Sequence, residues 1–272
     1  MSSSTTSTPD SNINHASALQ YWNSMPATVN GMLGGFPQVS RIDLRGSANF
    51  LAKIRRLIQI EQADTDTTAG QSGQRKSKKL KRGADCGAGI GRITEGFLRN
   101  VCETVDVVEP VEKFAEVIRN GLLTRKKEEG NSAEEREDEG LVENIYITGL
   151  ENWIPTEKYD LIWNQWCVGH LTDSQLTTYL QRAANALTAH GILVLKENNS
   201  TDPEGRDIYD EVDNSVTRTD ESFRKIFKDA GLTLIKAEEQ LGFPRHLGLL
   251  PVRSYALRPN KNEYDTVDAP EE

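Results

Sequence analysis

Short apolar runs and amphipathic stretches alternate along most of the chain, and this pattern predicts an α/β fold. Seven runs have the length and composition of strands: Leu80–Cys86, Thr104–Glu109, Asn144–Thr148, Tyr159–Trp166, Gly191–Lys196, Leu232–Ala237 and Arg253–Leu257. Helices are predicted between them, over Gly91–Asn100, Val111–Leu123, Thr172–Leu187 and Asp220–Ala230. This alternation indicates parallel strands joined by right-handed crossovers, with ligands bound at the carboxyl ends of the strands.

Polar stretches interrupt this pattern at both ends and at two places inside it. Residues 1–18 are rich in Ser, Thr and Asn, and we expect them to form a disordered tail. Residues 62–79 and 124–143 largely lack an apolar period, so they are predicted to be mobile loops. Residues 261–272 are expected to form a second tail. What remains has a size that suits one domain.

An apolar and aromatic segment over residues 19–61 precedes the first predicted strand. It contains Tyr21 and Trp22, a Gly-Met-Leu-Gly-Gly turn and a helical pattern near Asn49–Ile60. The segment is too short for a second domain. We therefore predict an N-terminal extension that packs over the main domain, residues 80–260, as a lid.

The chain is acidic, which bears on its partners. Its 272 residues carry a net charge of -9, and its pI is about 5.1. This charge argues against a nucleic-acid partner, because affinity for a phosphate backbone comes from clustered Lys and Arg. A cationic partner fits better. The one basic cluster, residues 75–82, is a nuclear localisation or nucleic-acid patch or, as we favour, a solvated loop that leads into a strand.

The three cysteines, Cys86, Cys102 and Cys167, lack the spacing of a metal site. No apolar N-terminal segment resembles a signal peptide, and no apolar run reaches the length of a transmembrane helix. We therefore expect reduced thiols, no bound metal, no membrane partner, and a cytoplasmic location that extends to the nucleus.

A glycine-rich turn follows the first predicted strand and reads DCGAGIGR over residues 85–92. Its glycines allow a tight turn and let a ligand approach the backbone closely. Glu109 ends the next strand, where a carboxylate could accept hydrogen bonds from both hydroxyls of a ribose. The combination resembles the class I methyltransferases, whose cofactor S-adenosylmethionine has no pyrophosphate, and Arg92 suits the methionine carboxylate. An NAD site and a purely structural turn are the alternatives.

Three polar strings lie further along the chain. Residues 164–171 read NQWCVGHL, residues 196–199 read KENN, and residues 210–218 read DEVDNSVTR. The first two follow predicted strands, so they lie at the same edge of the sheet as the glycine-rich turn. Taken singly, each string has an ordinary structural role as a cap, a core residue or a solvated loop.

Together with the YW and GMLGG strings, these motifs resemble one family, the protein N-terminal methyltransferases that act on X-Pro-Lys N-termini. The resemblance extends from about Tyr21 to Leu257. It implies a Rossmann-like class I methyltransferase fold, with a seven-stranded, mostly parallel sheet, helices on both faces and an N-terminal helical extension. It also implies transfer of one to three methyl groups from S-adenosylmethionine to the α-amino group of basic proteins. Ribosomal and chromatin proteins are candidate partners.

The resemblance also assigns the residues of the site. Eight residues are expected to bind the cofactor: Gly87, Arg92, Glu109, Pro110, Val111, Leu150, Glu151 and Gln165. Proton transfer from the substrate amine is expected of Asp213 and His170, with the base left open between the two. Five residues are expected to contact the peptide: Tyr21, Trp22, Trp166, Asn198 and Asp210.

The chain departs from the family pattern in places. The acid that holds the ribose is Glu109, which has a longer side chain for the same hydrogen bonds. The segment 242–251 is longer than in the family pattern and lacks an aromatic residue that some relatives have. We therefore expect the outer rim of the peptide channel to depart from the family pattern. Two other functions remain as alternatives. One is a class I methyltransferase of a small molecule or nucleic acid, and the other is a cofactor-binding interaction protein without catalysis.

Overall fold

The computed structural model describes residues 8–65, 79–123 and 139–260, and a seven-stranded sheet forms its centre. The strands are β1 (Leu80–Cys86), β2 (Cys102–Val108), β3 (Leu141–Tyr146), β4 (Tyr159–Gln165), β5 (Leu187–Asn198), β6 (Ile208–Asp210), β7 (Ser215–Thr217), β8 (Leu232–Glu239) and β9 (Val252–Pro259). Strands β6 and β7 form a separate hairpin that the apolar pattern did not predict. The other strands overlap the seven predicted runs.

The strand order in the sheet is β3-β2-β1-β4-β5-β9-β8. Neighbouring strands from β3 to β5 are parallel, whereas β9 runs antiparallel to both β5 and β8. The order reverses between β1 and β4, and folds of this type bind ligands in the crevice at such a reversal. The predicted Rossmann-like, mostly parallel sheet is confirmed.

The helices cover both faces of this sheet, as predicted. They are α1 (His15–Ser24), α2 (Val29–Met32), α3 (Ser40–Thr65), α4 (Arg99–Val101), α5 (Glu112–Ile118), α6 (Asp173–Asn185) and α7 (Asp220–Asp229). On one face, Tyr179 of α6 and Phe227 of α7 are buried against the sheet. On the other face, Phe50 and Ile54 of α3 are buried in one cluster with Trp163 of β4.

The predicted extension over residues 19–61 therefore has two parts with different roles. α3 is longer than the pattern near Asn49–Ile60 indicated, and its apolar positions belong to the core beneath the sheet. Only the segment before it, which contains α1 and α2, lies over the site at the sheet edge.

The predicted disordered tail over residues 1–18 is wrong for residues 8–18. Pro9–Asn12 forms a 3-10 turn, and α1 begins after Asn14, whose side chain accepts a hydrogen bond from the backbone nitrogen of Ser17. The carboxylate of Asp10 accepts a hydrogen bond of 2.9 Å from the backbone nitrogen of Asp173 at the start of α6. Composition missed this order because the small polar residues here act as caps and anchors. Residues 1–7 lie outside the described part of the chain.

Both segments that were predicted as mobile loops contain regular secondary structure at one end. α3 continues to Thr65, and β3 begins at Leu141, inside the segment predicted as a loop over residues 124–143. Strand β3 forms there because Val142 is buried and Glu143 pairs with Arg82 of β1 at 2.5 Å. The remainder of both loops, with most of the basic cluster, and the predicted tail over residues 261–272 lie outside the described residues.

The described residues include neither a metal-binding cluster nor a membrane-spanning helix. No group of three or more His, Cys, Asp or Glu side chains in this part of the chain is arranged to hold a metal ion. No helix among the described residues is long and apolar enough to cross a membrane.

Candidate active site

A cavity opens at the carboxyl ends of β1, β2 and β4, the edge where the sequence placed the ligand. It has about 1060 Å³ of empty space, including its open mouth. The glycine-rich turn lines one part of it, and Leu19 and Trp22 of α1 and Met32 of α2 line another. The segment before α3 is thus part of the cavity wall.

The glycine-rich turn has a backbone conformation that favours glycine. Gly87 has a φ of 67° and Gly89 a φ of 56°. A Cβ atom on Gly87 would lie 2.3 Å from the Cβ atom of Cys167. The backbone nitrogen of Gly87 donates a 2.8 Å hydrogen bond to the carbonyl of Val108, which holds the turn against β2. Position 87 therefore requires glycine both for its conformation and for the close approach of two chain segments.

Glu109 follows β2 and lines the same cavity. Its side chain is buried, and its two oxygens accept hydrogen bonds from the backbone nitrogens of Gly89 at 2.7 Å and Val111 at 2.8 Å. Burial raises the pKa of Glu109 to about 7, although these two hydrogen bonds act in the opposite direction. Glu109 is therefore a positioned acceptor whose charge changes near neutral pH.

The affinity for S-adenosylhomocysteine is expected to fall as the pH drops below 7, because protonation removes the charge that strengthens hydrogen bonds from ribose hydroxyls. With a pKa of about 7, the ionised fraction decreases about tenfold between pH 8 and pH 6. Titration calorimetry at pH 6, 7 and 8 measures this directly. The Glu109→Gln variant should bind more weakly at pH 8 and show little dependence on pH.

Glu197→Gln is the matched control for this titration. Burial raises the pKa of Glu197 to about 7 as well, but its carboxylate accepts hydrogen bonds from the backbone nitrogens of Cys167 and Val168. This variant should keep the pH dependence of the wild-type protein. If Glu109→Gln keeps it too, the ribose is not held by Glu109.

Arg92 and Gln165 also line the cavity, and one buried carboxylate holds both of them. Nη1 of Arg92 donates to Oδ2 of Asp43 at 2.7 Å, and Nε2 of Gln165 donates to Oδ1 of Asp43 at 2.8 Å. The guanidinium of Arg92 lies 5.4 Å from the ring centroid of Trp166. Asp43 was not predicted from the sequence, because it precedes the helical pattern that was recognised near Asn49.

These residues fit S-adenosylmethionine, the cofactor that the family resemblance implies. Glu109 offers carboxylate oxygens for ribose hydroxyls, and Arg92 offers guanidinium donors for a carboxylate. Val111, Phe114 and Leu150 supply apolar wall, and Pro110 and Glu151 also line the cavity. All eight residues predicted to bind the cofactor therefore border one cavity.

His170 lines the same cavity and contacts the segment that covers it. The indole Nε1 of Trp22 donates a 3.0 Å hydrogen bond to Nε2 of His170. Burial lowers the pKa of His170, and the nearby charge of Asp213 acts in the opposite direction. Burial therefore favours the neutral ring, and because Nε2 accepts the hydrogen bond from Trp22, the proton of that ring is on Nδ1.

The β6–β7 hairpin, which carries the acidic residues of the last motif, packs against the turn that contains His170: a Cβ atom on Gly169 would lie 3.1 Å from the carbonyl oxygen of Val216. Asp213 lies in the turn of the hairpin, where Oδ1 accepts a 3.0 Å hydrogen bond from the backbone nitrogen of Ser215. Burial raises the pKa of Tyr21, and the charges of Asp213 and Asp210 raise it further. The charge of Asp213 thus acts on both Tyr21 and His170. Asp210 is exposed, and its Oδ1 accepts a hydrogen bond from Val212.

Trp166 occupies a strained position between the two ends of the site. Its φ is 54°, although it is not a glycine, and it lines the cavity. Its backbone nitrogen donates to the carbonyl of Lys196 at 3.1 Å. Its indole Nε1 is buried without a hydrogen-bond partner among the described residues. Backbone strain and unpaired buried donors concentrate at functional sites, so Trp166 is a strong candidate for ligand contact.

Four of the predicted site residues do not border the cavity: Tyr21, Asn198, Asp210 and Asp213. Asn198 is partly buried opposite Val252 in the sheet. Its role in peptide binding stays a prediction. Conversely, sequence reasoning did not single out Glu197, although its buried carboxylate fixes the backbone of the loop that carries Cys167 and Val168.

Comparison with known proteins identifies the family. Residues 10–258 match the family described as AdoMet dependent proline di-methyltransferase. The chain is 36% identical to alpha N-terminal protein methyltransferase 1 of Schizosaccharomyces pombe, over 91% of this chain and 97% of that protein. It is 37% identical to N-terminal Xaa-Pro-Lys N-methyltransferase 1 of Xenopus tropicalis, over 90% of this chain and 95% of that protein. A solved SAM-dependent methyltransferase from Leishmania major, 31% identical, has a TM-score of 0.70 and covers 89% of this chain and 82% of its own. The chain belongs to the family of AdoMet-dependent proline di-methyltransferases.

Proposed function

We propose that this protein methylates the α-amino group of proteins that begin with X-Pro-Lys. One observation carries the proposal: the cavity that fits the cofactor at Glu109 and Arg92 also reaches His170, on which the charge of Asp213 acts. A basic N-terminus that enters there would bring its α-amine to a carboxylate and a neutral imidazole. The names of the relatives from Schizosaccharomyces pombe and Xenopus tropicalis support the same activity.

The substrate amine must lose a proton before it can accept a methyl group. An N-terminal amine has an ordinary pKa of about 7.7–8.0, so much of it is protonated at neutral pH. S-adenosylmethionine, when bound, supplies a methyl group carried on a positively charged sulfur. The task of this chain is therefore to bind the ammonium, remove its proton and hold the nitrogen beside that methyl group.

The hydrogen bond from Trp22 distinguishes the roles of the two candidate bases. It occupies the lone pair of His170 Nε2, while Nδ1 carries the proton of the neutral ring. In this arrangement His170 cannot accept a further proton unless Trp22 releases it. We therefore assign the binding and deprotonation of the ammonium to Asp213, and the orientation of the site to His170 together with Trp22.

The other residues of the motif provide contacts for the second and third substrate residues. Proline has a fixed φ and no backbone N–H, so it presents an apolar ring that suits an aromatic wall such as Trp166. The lysine that follows would lie near the acidic hairpin that contains Asp210. Because Asp210 is exposed, its attraction for the lysine is screened by solvent and is modest.

Replacement of Asp210 by Asn tests this recognition. We expect the KM for a Ser-Pro-Lys peptide to rise about two- to fivefold, as for an exposed ion pair, whereas the KM for Ser-Pro-Gln should stay unchanged. The difference should decrease at high salt, because exposed charges are screened. Steady-state kinetics on both peptides, with Ser-Ala-Lys as the control for proline, measures the effect. Equal losses on both Pro peptides would mean that Asp210 supports the hairpin instead.

The physiological partners and location follow from charge in this proposal. The net charge of -9 favours cationic partners, and ribosomal and chromatin proteins have basic N-termini of this kind. Such substrates are made in the cytoplasm and act there or in the nucleus, so we propose both compartments. Imaging of the tagged protein, together with mass spectrometry of protein N-termini in cells that lack it, tests both points.

A further inference from the structure

The cofactor end of the site contains a buried charged cluster that the mechanism above does not use. Asp43 and Lys196 are both fully buried, and Nζ of Lys196 lies 2.5 Å from Oδ1 of Asp43. Lys196 also donates to Ser47 and Gln240 at 3.0 and 2.9 Å. Together with Arg92, the cluster has two cationic groups and one carboxylate, and the buried carboxylate of Asp85 also interacts with the charge of Arg92.

Asp43 is the one member of this cluster that contacts two cavity-lining side chains. It accepts hydrogen bonds from Arg92 at 2.7 Å and from Gln165 at 2.8 Å. A guanidinium has five N–H donors on three nitrogens, and Asp43 accepts a hydrogen bond from only one of these nitrogens, Nη1. The side chain of Arg92, only 8% exposed, is therefore fixed at one nitrogen while the other donors remain for a ligand.

We propose that Asp43 is a positioning residue for cofactor binding, which orients Arg92 and Gln165 so that the guanidinium meets the carboxylate of the amino-acid part of the cofactor. The positive charge of the Arg92 guanidinium complements that carboxylate. The proposal deepens the proposed function at the cofactor end of the site. It also gives α3 a role in the site, since Asp43 is in the first turn of that helix.

Asp43→Asn also removes a buried charge, so a companion variant keeps the net charge constant. Burial lowers the pKa of Lys196, and the charge of Asp43 opposes this effect. Asp43→Asn would lower that pKa further, because an unpaired buried ammonium is disfavoured. Asp43→Asn/Lys196→Met removes both charges of the pair, so it tests orientation rather than net charge.

Two ligands separate this role from a general structural one. S-adenosylhomocysteine has the amino-acid carboxylate, whereas 5′-methylthioadenosine has the same nucleoside without it. In Asp43→Asn, calorimetry should show about tenfold weaker binding of S-adenosylhomocysteine, the loss expected for a well-placed charged hydrogen bond. Binding of 5′-methylthioadenosine should change less than about twofold. In an Arg92→Met background, Asp43→Asn should leave the ratio of the two affinities unchanged, because the residues act as one unit.

Asp106→Asn is the matched control for a buried carboxylate. Asp106 is also fully buried and pairs with an arginine, Arg82, at 2.9 Å, but it lies away from the cavity wall. The Asp106→Asn variant should have the same ratio of affinities for S-adenosylhomocysteine and 5′-methylthioadenosine as the wild-type protein. If Asp43→Asn fails to fold, Asp43→Asn/Lys196→Met removes both charges of the buried pair and carries the same expectation.

Three results would overturn the proposal: equal weakening of both ligands, unchanged affinity for both, or tighter binding of S-adenosylhomocysteine. None of these measurements uses a peptide. Failure of the positioning role would therefore be distinguishable from failure of the proposed activity, which depends on the peptide end of the site.

Discussion

Replacement of Asp213 by Asn is expected to slow methyl transfer to a Ser-Pro-Lys peptide by a factor of about 10²–10⁴, the usual contribution of general acid–base catalysis. The charge of Asp213 acts on His170 and Tyr21, and His170 borders the same cavity as Glu109. The amide of Asn keeps the shape of the side chain but cannot accept the proton of the substrate ammonium. Single-turnover kinetics with cofactor in excess measures the chemical step.

The affinity of Asp213→Asn for S-adenosylhomocysteine should stay within about twofold of the wild-type value, because Asp213 does not border the cofactor residues. Glu211→Gln is the matched control, since Glu211 is an exposed carboxylate in the same hairpin turn. It should slow transfer less than about fivefold, as expected for a solvated charge. Wild-type turnover in Asp213→Asn would remove this residue from the proton transfer and favour His170.

Replacement of Gly87 by Ala should destabilise the protein by on the order of 3 kcal/mol or more and abolish measurable cofactor binding. A φ of 67° strains an alanine by about 1–2 kcal/mol. The added Cβ would also lie 2.3 Å from the Cβ atom of Cys167 and 3.7 Å from its Cα atom. The Cβ atom of Cys167 is bonded directly to the backbone and cannot rotate away. The two chain segments must therefore move apart, at a further cost of about 1–3 kcal/mol.

Gly205→Ala separates the cost of backbone strain from the cost of the steric clash with Cys167. Gly205 has nearly the same φ, 68°, but a Cβ atom there would meet no atom within 4 Å. It should cost only about 1–2 kcal/mol. Thermal unfolding should therefore show a decrease in Tm of about 6 °C or more for Gly87→Ala and roughly half of that for Gly205→Ala. Equal decreases would show that the approach of Cys167 to the turn does not constrain position 87.

The sequence predicted the features that depend on periodicity and on contiguous motifs. Runs such as Leu80–Cys86 have strand composition because the sheet buries them on both faces, and the glycine-rich turn carries its chemistry within eight neighbouring residues. Glu109 followed from its position at the end of the next strand, and the family resemblance then added His170 and Asp213, which are far apart in the chain.

Features that depend on tertiary contact were missed. Asp43 looks like an ordinary polar residue in the sequence, and only the fold shows that it is buried between Arg92 and Lys196. The order of residues 8–18 was missed for the same reason, since Asp10 and Asn14 are stabilising there only through the hydrogen bonds that they accept. The spacing of apolar residues also did not indicate the π-helical turn at Thr94–Leu98.

The position of the transferred methyl group tests the central claim most directly. The protein should be incubated with labelled S-adenosylmethionine and a Ser-Pro-Lys peptide, and fragmentation mass spectrometry should then locate the label. A peptide with an acetylated α-amine and the same lysine is the control. We predict that all label resides on the α-nitrogen and that the acetylated peptide takes up none. Label on the lysine side chain, or equal labelling of the acetylated peptide, would contradict the assignment of an N-terminal methyltransferase.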